Sequence, residues 1–320
     1  MLEIFRLIRL RTIAFTAFTM YAMRFLVILP LLDKEGVDLQ MPEGDFSLLV
    51  IAVCCLVSAA YVINDYFDTK ADRISGSRPV IVGKTISRRA AITLHTLLNM
   101  VAVGIAYYLA RNVHHSEIVF LFLVISAILW FYSSRFKKRF LWGNLIVAFL
   151  AGLIPLTVAT FEIPLLNEAY SDVIVKTQMD FNNVFYWTSC FAYFLFLNML
   201  IYEINKDMYS IPVKCGIPVA RKVIITLVAV CLISLVVFFI MEFRSSAVML
   251  VYFLIGLIVP YLVYGYSVLK NDKMKFQLRL IRLIMALCIG ISLFLHHFFN
   301  TEYFRHKMTS SVSQRIGQID

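Results

Sequence analysis

The sequence predicts an all-α, polytopic membrane protein built as a bundle of nine transmembrane helices. Its 320 residues are 61% hydrophobic and only 16% charged, whereas soluble domains average about 25% charged residues. The mean hydropathy is +0.81. Apolar runs also recur from residue 11 to residue 299 without an intervening linker or repeat. We therefore expect a single integral membrane domain over 1–320, with a polar and flexible tail at 301–320.

Nine apolar segments are long enough to span a bilayer, since a spanning helix needs about 20 mostly apolar residues. The predicted spans are 11–32, 46–68, 89–110, 116–134, 141–161, 182–206, 220–241, 246–268 and 278–299. The first run continues to Leu32 without a small-residue cleavage site, so we expect it to persist as a helix rather than a removable signal peptide. Within it, Arg24 is expected to face the bundle interior or to extend towards the membrane boundary.

Charge is distributed unevenly between the predicted loops. Most of the 30 Lys and Arg residues lie before the first span or in every second loop, and the positive-inside rule places such loops in the cytoplasm. The pattern predicts a multi-pass protein of the inner (cytoplasmic) membrane with a cytoplasmic N-terminus and active site. The net charge of +10 then reflects topology and attraction to anionic lipids. We expect membrane lipid, and no nucleic acid, among its partners.

An acidic cluster, "NDYFDTKADR" at 64–73, ends the second predicted span. Asn64, Asp68 and Asp72 follow each other at intervals of four, and Asp65 precedes Asp68 by three, so all four can share one wide helical face. Carboxylate and amide oxygens suit a hard cation such as Mg²⁺. The same spacing also fits a solvated helix end with loose ion pairs, so on spacing alone both interpretations stay open.

Basic residues accumulate in two loops on the same predicted side of the membrane. The stretch "ISGSRPVIVGK" carries Arg78 and Lys84, and "YSSRFKKR" carries Lys137. Guanidinium and ammonium groups bind phosphate oxygens. An acidic cluster with a basic rim therefore favours a metal-bound diphosphate, and charged groups within a membrane protein indicate a functional site.

The stretch "NDYFDTKAD" resembles the N-D-x-x-D-x-x-x-D signature of the UbiA superfamily of intramembrane prenyltransferases, and "RPVIVGK" resembles the segment that follows it there. Within the family the chain is most similar to the bacterial branch labelled geranylgeranylglycerol-phosphate geranylgeranyltransferase-like. The resemblance implies that a polyprenyl diphosphate binds with Mg²⁺ and that its allylic C–O bond ionises. A small acceptor of unspecified identity then captures the prenyl cation.

The resemblance also implies roles for individual residues. Magnesium ligands would be Asn64, Asp65, Asp68, Asp72, Glu203 and Asp207. Among these, Asp65, Asp68 and Asp207 would be catalytic. Basic residues that bind the diphosphate would be Arg9, Arg78, Lys84, Lys137 and Lys206. We also expect Lys214 to bind it, although this lysine stands where the family carries an acid.

The second motif, in "YEINKDMYSIPVKCGIPV", departs from the family pattern. Glu203, Lys206 and Asp207 match it, but Ser210 and Lys214 stand where the family carries acids. One hypothesis is a prenyltransferase in which Lys214 pairs directly with the diphosphate. The alternative is a non-catalytic protein that binds an isoprenoid diphosphate and has lost the second metal site. A transporter or channel is a third possibility, although the paired, interrupted spans typical of transporters are not evident.

Overall fold

The structure is a computed structural model that describes residues 2–75, 81–139, 141–171, 181–208, 216–244, 246–270, 273–295 and 298. Within these residues the regular structure is helical, apart from one isolated β-bridge between Val82 and Ile86. The α-helices are α1 (Leu2–Leu7), α2 (Leu10–Ala22), α3 (Leu29–Glu35), α4 (Glu43–Ser75), α5 (Arg88–Asn112), α6 (Ile118–Ser134), α7 (Trp142–Ala169), α8 (Asn182–Met208), α9 (Gly216–Glu242), α10 (Ala247–Val251), α11 (Val259–Lys270) and α12 (Met274–Gly290). Two π-helical segments, Met23–Ile28 and Tyr252–Ile258, join α2 to α3 and α10 to α11.

Eight continuous helical stretches in the described part of the chain are long and apolar enough to cross a membrane. They are Leu10–Glu35, Glu43–Thr69, Arg88–Asn112, Trp142–Ala169, Asn182–Lys206, Gly216–Glu242, Ala247–Lys270 and Met274–Leu295. Helix α6 lies at the fourth predicted span but has only 17 residues. At 1.5 Å per residue it rises about 25 Å, less than the roughly 30 Å hydrocarbon core. The all-α polytopic class is confirmed, and the count of nine is not.

The chain divides into two compact units, residues 1–20 with 40–180, and residues 21–39 with 181–320. The expected single domain over 1–320 stays a prediction, and the expected flexible tail lies outside the described residues. In the first unit α4 packs against α5 and α6. A buried cluster of Leu7, Val62, Ile81, Val82 and Ala91 fastens α1 and the loop before α5 onto α4, so apolar burial holds the loops that flank the acidic cluster.

The second unit has its core where α8 packs against α9 and α12. Four buried aromatic residues of this unit pack against one another: Trp187, Phe238, Phe243 and Phe253. Successive ring centroids lie 5.6 Å apart, which is the spacing of favourable edge-to-face pairs. Arg24 belongs to this unit and is only 2% exposed, so it is buried rather than extended towards the membrane boundary.

Candidate metal and diphosphate site

The acidic cluster lies on one uninterrupted helix. Helix α4 runs for 33 residues, from Glu43 to Ser75, and therefore continues beyond the apolar run into the motif. Asn64, Asp65 and Asp68 are half-buried on this helix, and these three residues form what we call the first-motif face. Thr69 Oγ1 donates to the carbonyl oxygen of Asp65 at 3.0 Å, so the hydroxyl of Thr69 is bonded to the backbone of α4.

Lys137 contacts this face directly. It lies in a short 3₁₀ turn, Phe136–Lys138, that follows α6. Its Nζ donates to Asn64 Oδ1 at 2.7 Å and also to Asp68 Oδ2. The side chains of Lys137 and Asp68 are 27% and 19% exposed, so solvent screens this ion pair less than it would a surface pair. The structure thus brings together three of the predicted site residues, Asn64, Asp68 and Lys137.

Arg9 approaches the same face from the chain segment between α1 and α2. Its guanidinium lies 3.6 Å from Asp65 Oδ1 and 4.5 Å from the centroid of the Tyr61 ring. The backbone of Arg9 has a φ of +55°, a left-handed conformation that costs a non-glycine residue about 1–2 kcal/mol. Strained backbone of this kind persists where surrounding contacts over-determine it, and it clusters at functional sites.

The loop before α5 carries the second group of basic residues. Residues 81–86 form a tight turn in which the N–H groups of Lys84, Thr85 and Ile86 donate to Ile81 O. Gly83 provides the positive φ of +81° that this turn requires. Lys84 lies exposed in the turn, whereas the Arg88 guanidinium stacks 4.3 Å from the centroid of the Tyr66 ring. The loop is therefore ordered by apolar anchors, while Lys84 extends into solvent.

In the second unit, the residues of the second motif lie at the end of α8. Glu203 is 7% exposed, and its Oε2 accepts a hydrogen bond from Lys206 Nζ, one helical turn away. The intervening Asn205 is fully buried and donates from Nδ2 to Tyr264 Oη at 2.7 Å. The Lys206 ammonium therefore neutralises the one second-motif carboxylate whose side chain is described.

Four predicted site residues cannot be placed. The side chains of Asp72 and Asp207 lie outside the described part of the structure, and so do Arg78 and Lys214 as whole residues. Their metal-binding and diphosphate-binding roles stay predictions.

The donor chemistry of the first-motif face fits magnesium. Among the side chains that the structure describes, no three His, Cys, Asp or Glu residues are grouped closely enough to hold a metal ion by themselves. Magnesium, however, is usually bound through one or two carboxylates, with substrate phosphates and water completing its shell. Asp65 and Asp68, with the Asn64 amide oxygen, match that donor set.

Three residues of this region were not predicted from the sequence. Tyr61 and Tyr66 support Arg9 and Arg88 with their ring faces, but aromatic residues are too common in membrane helices to stand out. Gly143, in the stretch "LWGN", packs against the backbone of Lys137. A glycine carries no charge or donor, so the only signal was its position just after the basic loop.

Comparison with known proteins identifies the family. The sequence pattern of the UbiA prenyltransferase family matches residues 13–283, which is most of the chain and includes both motifs. The chain belongs to the UbiA prenyltransferase family. With eight candidate spans among its described residues, this UbiA protein is an integral membrane protein.

Curated relatives of this UbiA chain include archaeal enzymes. The digeranylgeranylglyceryl phosphate synthase of Methanothermobacter thermautotrophicus is 37% identical over 113 residues, covering 34% of this chain and 38% of the relative. The enzyme of the same name from Methanococcus maripaludis strain C7 is 27% identical over 181 residues, covering 53% of this chain and 55% of the relative. The chain thus spans about two fifths to just over half of the length of these relatives.

One solved structure shares the fold. It comes from structural and mechanistic work on digeranylgeranylglyceryl phosphate synthase in membranes, and it superposes with a TM-score of 0.57 at 17% sequence identity. The match covers 91% of this chain and 97% of the other. At this identity the likeness establishes the UbiA-type fold alone.

Proposed function

We propose that this protein is a magnesium-dependent prenyltransferase that moves a polyprenyl group, of geranylgeranyl type, from its diphosphate to a small acceptor. The observation that carries the proposal is the first-motif face, where Asn64, Asp65 and Asp68 supply oxygens and Lys137 and Arg9 supply cations within contact distance. Oxygen donors beside phosphate-binding cations are what a metal-bound diphosphate needs.

The reaction would break the allylic C–O bond, with the electron pair leaving on the diphosphate. The acceptor then forms a new bond to the prenyl carbon and releases a proton. Bound magnesium supplies the Lewis acidity that neutralises the developing charge on the leaving group. Asn64, Asp65, Asp68 and Asp72 would hold the metal, while Arg9, Arg78, Lys84 and Lys137 would orient the phosphate oxygens.

The second motif would form a weaker magnesium position from Glu203 and Asp207, with Lys206 and Lys214 on phosphate oxygens. The ion pair between Glu203 and Lys206 means that Lys206 must exchange this partner for phosphate. The cost of that exchange is modest, because both sides are charge-assisted hydrogen bonds.

For the acceptor we propose a glycerophosphate-type molecule rather than an aromatic ring. The relatives are named as digeranylgeranylglyceryl phosphate synthases, and a phosphorylated acceptor requires cations beyond those that hold the diphosphate. The described part of the chain offers further ones beside the first-motif face, such as Arg88, which stacks on Tyr66. We also propose that this face opens to the cytoplasm, as the positive-inside rule indicates.

A non-catalytic isoprenoid-diphosphate-binding protein is the second candidate. It is favoured by the second motif, where Glu203 is already neutralised by Lys206 and Lys214 replaces an acid of the family pattern. Such a protein would bind the diphosphate with magnesium but release no pyrophosphate. Restoring acids through Ser210→Asp with Lys214→Asp would then create turnover that the parent chain lacks.

The deciding experiment measures pyrophosphate release from geranylgeranyl diphosphate by the protein in detergent, with glycerophosphate-type and aromatic acceptors. We expect magnesium-dependent release that requires a glycerophosphate-type acceptor, and a fall of at least about 100-fold in Asp68→Asn, as when a preorganised electrostatic group is lost. The matched control is Asp45→Asn, the same change near the other end of α4, where Asp45 accepts from Asn112. Unchanged release in Asp68→Asn would refute the assignment.

A further inference from the structure

The ammonium group of Lys137 lies on the same oxygens that the proposed metal would use. Lys137 Nζ donates to Asn64 Oδ1 and Asp68 Oδ2 at once, so it bridges two of the three donors of the first-motif face. A lysine ammonium and a divalent cation repel each other and compete for the same lone pairs. Each cation therefore weakens the binding of the other at these two oxygens.

Backbone contacts around Lys137 keep it beside the first-motif face. The 3₁₀ turn Phe136–Lys138 is followed by Leu141, whose backbone has a positive φ of +68°, and α7 begins at Trp142. Gly143 lies in the first turn of α7 and bonds from its N–H to Arg139 O at 3.2 Å. The start of α7 is thereby folded back onto the turn that carries Lys137.

The contact between Gly143 and this turn is close. A Cβ atom at Gly143 would lie 3.1 Å from Phe136 O and 3.2 Å from Lys137 Cα. Both neighbours are backbone atoms, which cannot move aside as a flexible side-chain end can. Any larger residue at 143 therefore displaces Lys137 relative to α7, and we regard Gly143 as a positioning residue for the lysine.

We infer that Lys137 is the built-in counter-ion of the first-motif face, held in place by Gly143, and that it competes with a divalent cation for Asn64 and Asp68. This inference rests on the proposed function and deepens it. Once released, the ammonium is free to pair with the substrate's phosphate. Metal binding and diphosphate binding are then thermodynamically coupled, because the phosphate compensates Lys137 for the partners that it loses.

The inference predicts that removing the lysine strengthens metal binding. Lys137→Met keeps most of the length of the side chain but removes its charge. We expect the affinity for Mg²⁺ alone to rise roughly tenfold in this variant, because the metal no longer has to replace a charge-assisted hydrogen bond. Calorimetric titration of the substrate-free protein in detergent with Mg²⁺ measures this. Lys222→Met is the matched control, because Lys222 is an exposed lysine in the first turns of α9. The Mg²⁺ affinity of this variant should equal that of the wild-type protein.

Gly143→Ala provides a second and independent variant. By displacing Lys137 it should strengthen Mg²⁺ binding in the same direction, by about threefold, since overpacking at a close contact shifts backbone by a few tenths of an ångström. It should also raise the KM for the prenyl diphosphate. In the Lys137→Met background the same glycine change should leave the Mg²⁺ affinity unaltered, as a double-mutant cycle for one shared interaction requires. Gly104→Ala is the control, since a Cβ at Gly104 meets no atom within 4 Å.

The outcomes separate this inference from the proposed function. If Lys137→Met binds Mg²⁺ no more tightly than wild type, including the case in which neither binds detectably, Lys137 is not a competing counter-ion and the inference is wrong. Prenyl transfer by the wild-type protein would still uphold the proposed function. If Lys137→Met binds Mg²⁺ more tightly as expected but no acceptor supports pyrophosphate release, the inference about Lys137 is upheld and the transferase assignment is wrong.

Discussion

At the scale of single residues, Arg9 combines a functional side chain with a strained backbone. Its guanidinium contacts Asp65 at 3.6 Å. Its φ of +55° lies in a region of backbone conformation that residues with a Cβ rarely adopt. Glycine occupies this region without steric cost. The presence of arginine at this position therefore indicates that the contacts of its guanidinium offset the conformational free energy of the left-handed backbone.

Two substitutions at Arg9 separate these contributions. Both Arg9→Gly and Arg9→Ala remove the guanidinium, but only alanine keeps the Cβ that disfavours a positive φ. We expect Arg9→Gly to be more stable than Arg9→Ala by about 1 kcal/mol, because relief of the left-handed strain exceeds the extra chain entropy of glycine. Chemical denaturation in detergent measures the difference.

Both variants should lose affinity for the prenyl diphosphate to the same extent, because both lack the cation. Equal stability of the two variants would show that Arg9 does not hold a left-handed backbone in solution. Unequal substrate affinity would show that the backbone, and not the charge alone, matters for binding.

At the scale of elements, α7 fixes the segment that leads into α4. The carboxylate of Glu162, on α7, is fully buried. Its Oε1 accepts from Gln40 N at 2.5 Å and from Met41 N at 3.1 Å. Burying a carboxylate costs free energy unless it is hydrogen-bonded, and these two backbone donors offset part of that cost. The contact holds the N-terminal end of the helix whose other end carries the acidic motif.

Substituting Glu162 tests this contact. Because Oε1 accepts from both Gln40 N and Met41 N, Glu162→Gln can keep these two hydrogen bonds through its amide oxygen and should lose less stability than Glu162→Leu. Glu162→Leu removes the acceptor and should lose about 3 kcal/mol, since each buried donor deprived of its partner costs about 1–3 kcal/mol. Thermal or denaturant unfolding in detergent compares the three proteins. A leucine variant as stable as the glutamine variant would mean that the two hydrogen bonds contribute little.

At the scale of the whole molecule, the number of membrane crossings depends on α6. If its 17 residues cross the bilayer, the residues before and after α6 lie on opposite sides. A helix about 25 Å long can span a roughly 30 Å core when the bilayer thins or flanking residues extend to the interface. We propose that it does span, because the basic residues just after it would otherwise lie outside, against the positive-inside rule.

Accessibility of single cysteines checks the crossing. In a background without native cysteines, Glu117→Cys should react with a membrane-impermeant maleimide added to intact cells. Arg139→Cys should react only after the membrane is opened, because the proposed topology places it in the cytoplasm. Labelling of both residues from the same side would show that α6 does not cross and would reverse the orientation of the later helices.

Much of the fold was predictable because its causes are local in sequence. The spans follow from runs of apolar residues, and the face shared by Asn64, Asp65 and Asp68 follows from helical periodicity alone. The resemblance of "NDYFDTKAD" to the UbiA signature needed no structure, and the family match over residues 13–283 confirmed it. The roles of individual site residues stay predictions, since the donors alone do not show what they bind.

By itself, the sequence determined that this chain is an all-α membrane protein of the UbiA family with oxygen donors and cations near one end of α4. Composition and short-range spacing are sufficient for that, because bilayer solvation and helical geometry act residue by residue. Only the tertiary structure decided which cation meets which oxygen: Lys137 on Asn64 and Asp68, and Arg9 on Asp65. Those pairings join residues 56 or more positions apart in the chain, and they depend on a left-handed Arg9 and on the close approach of Gly143. Backbone packing sets such details, and no local pattern encodes them.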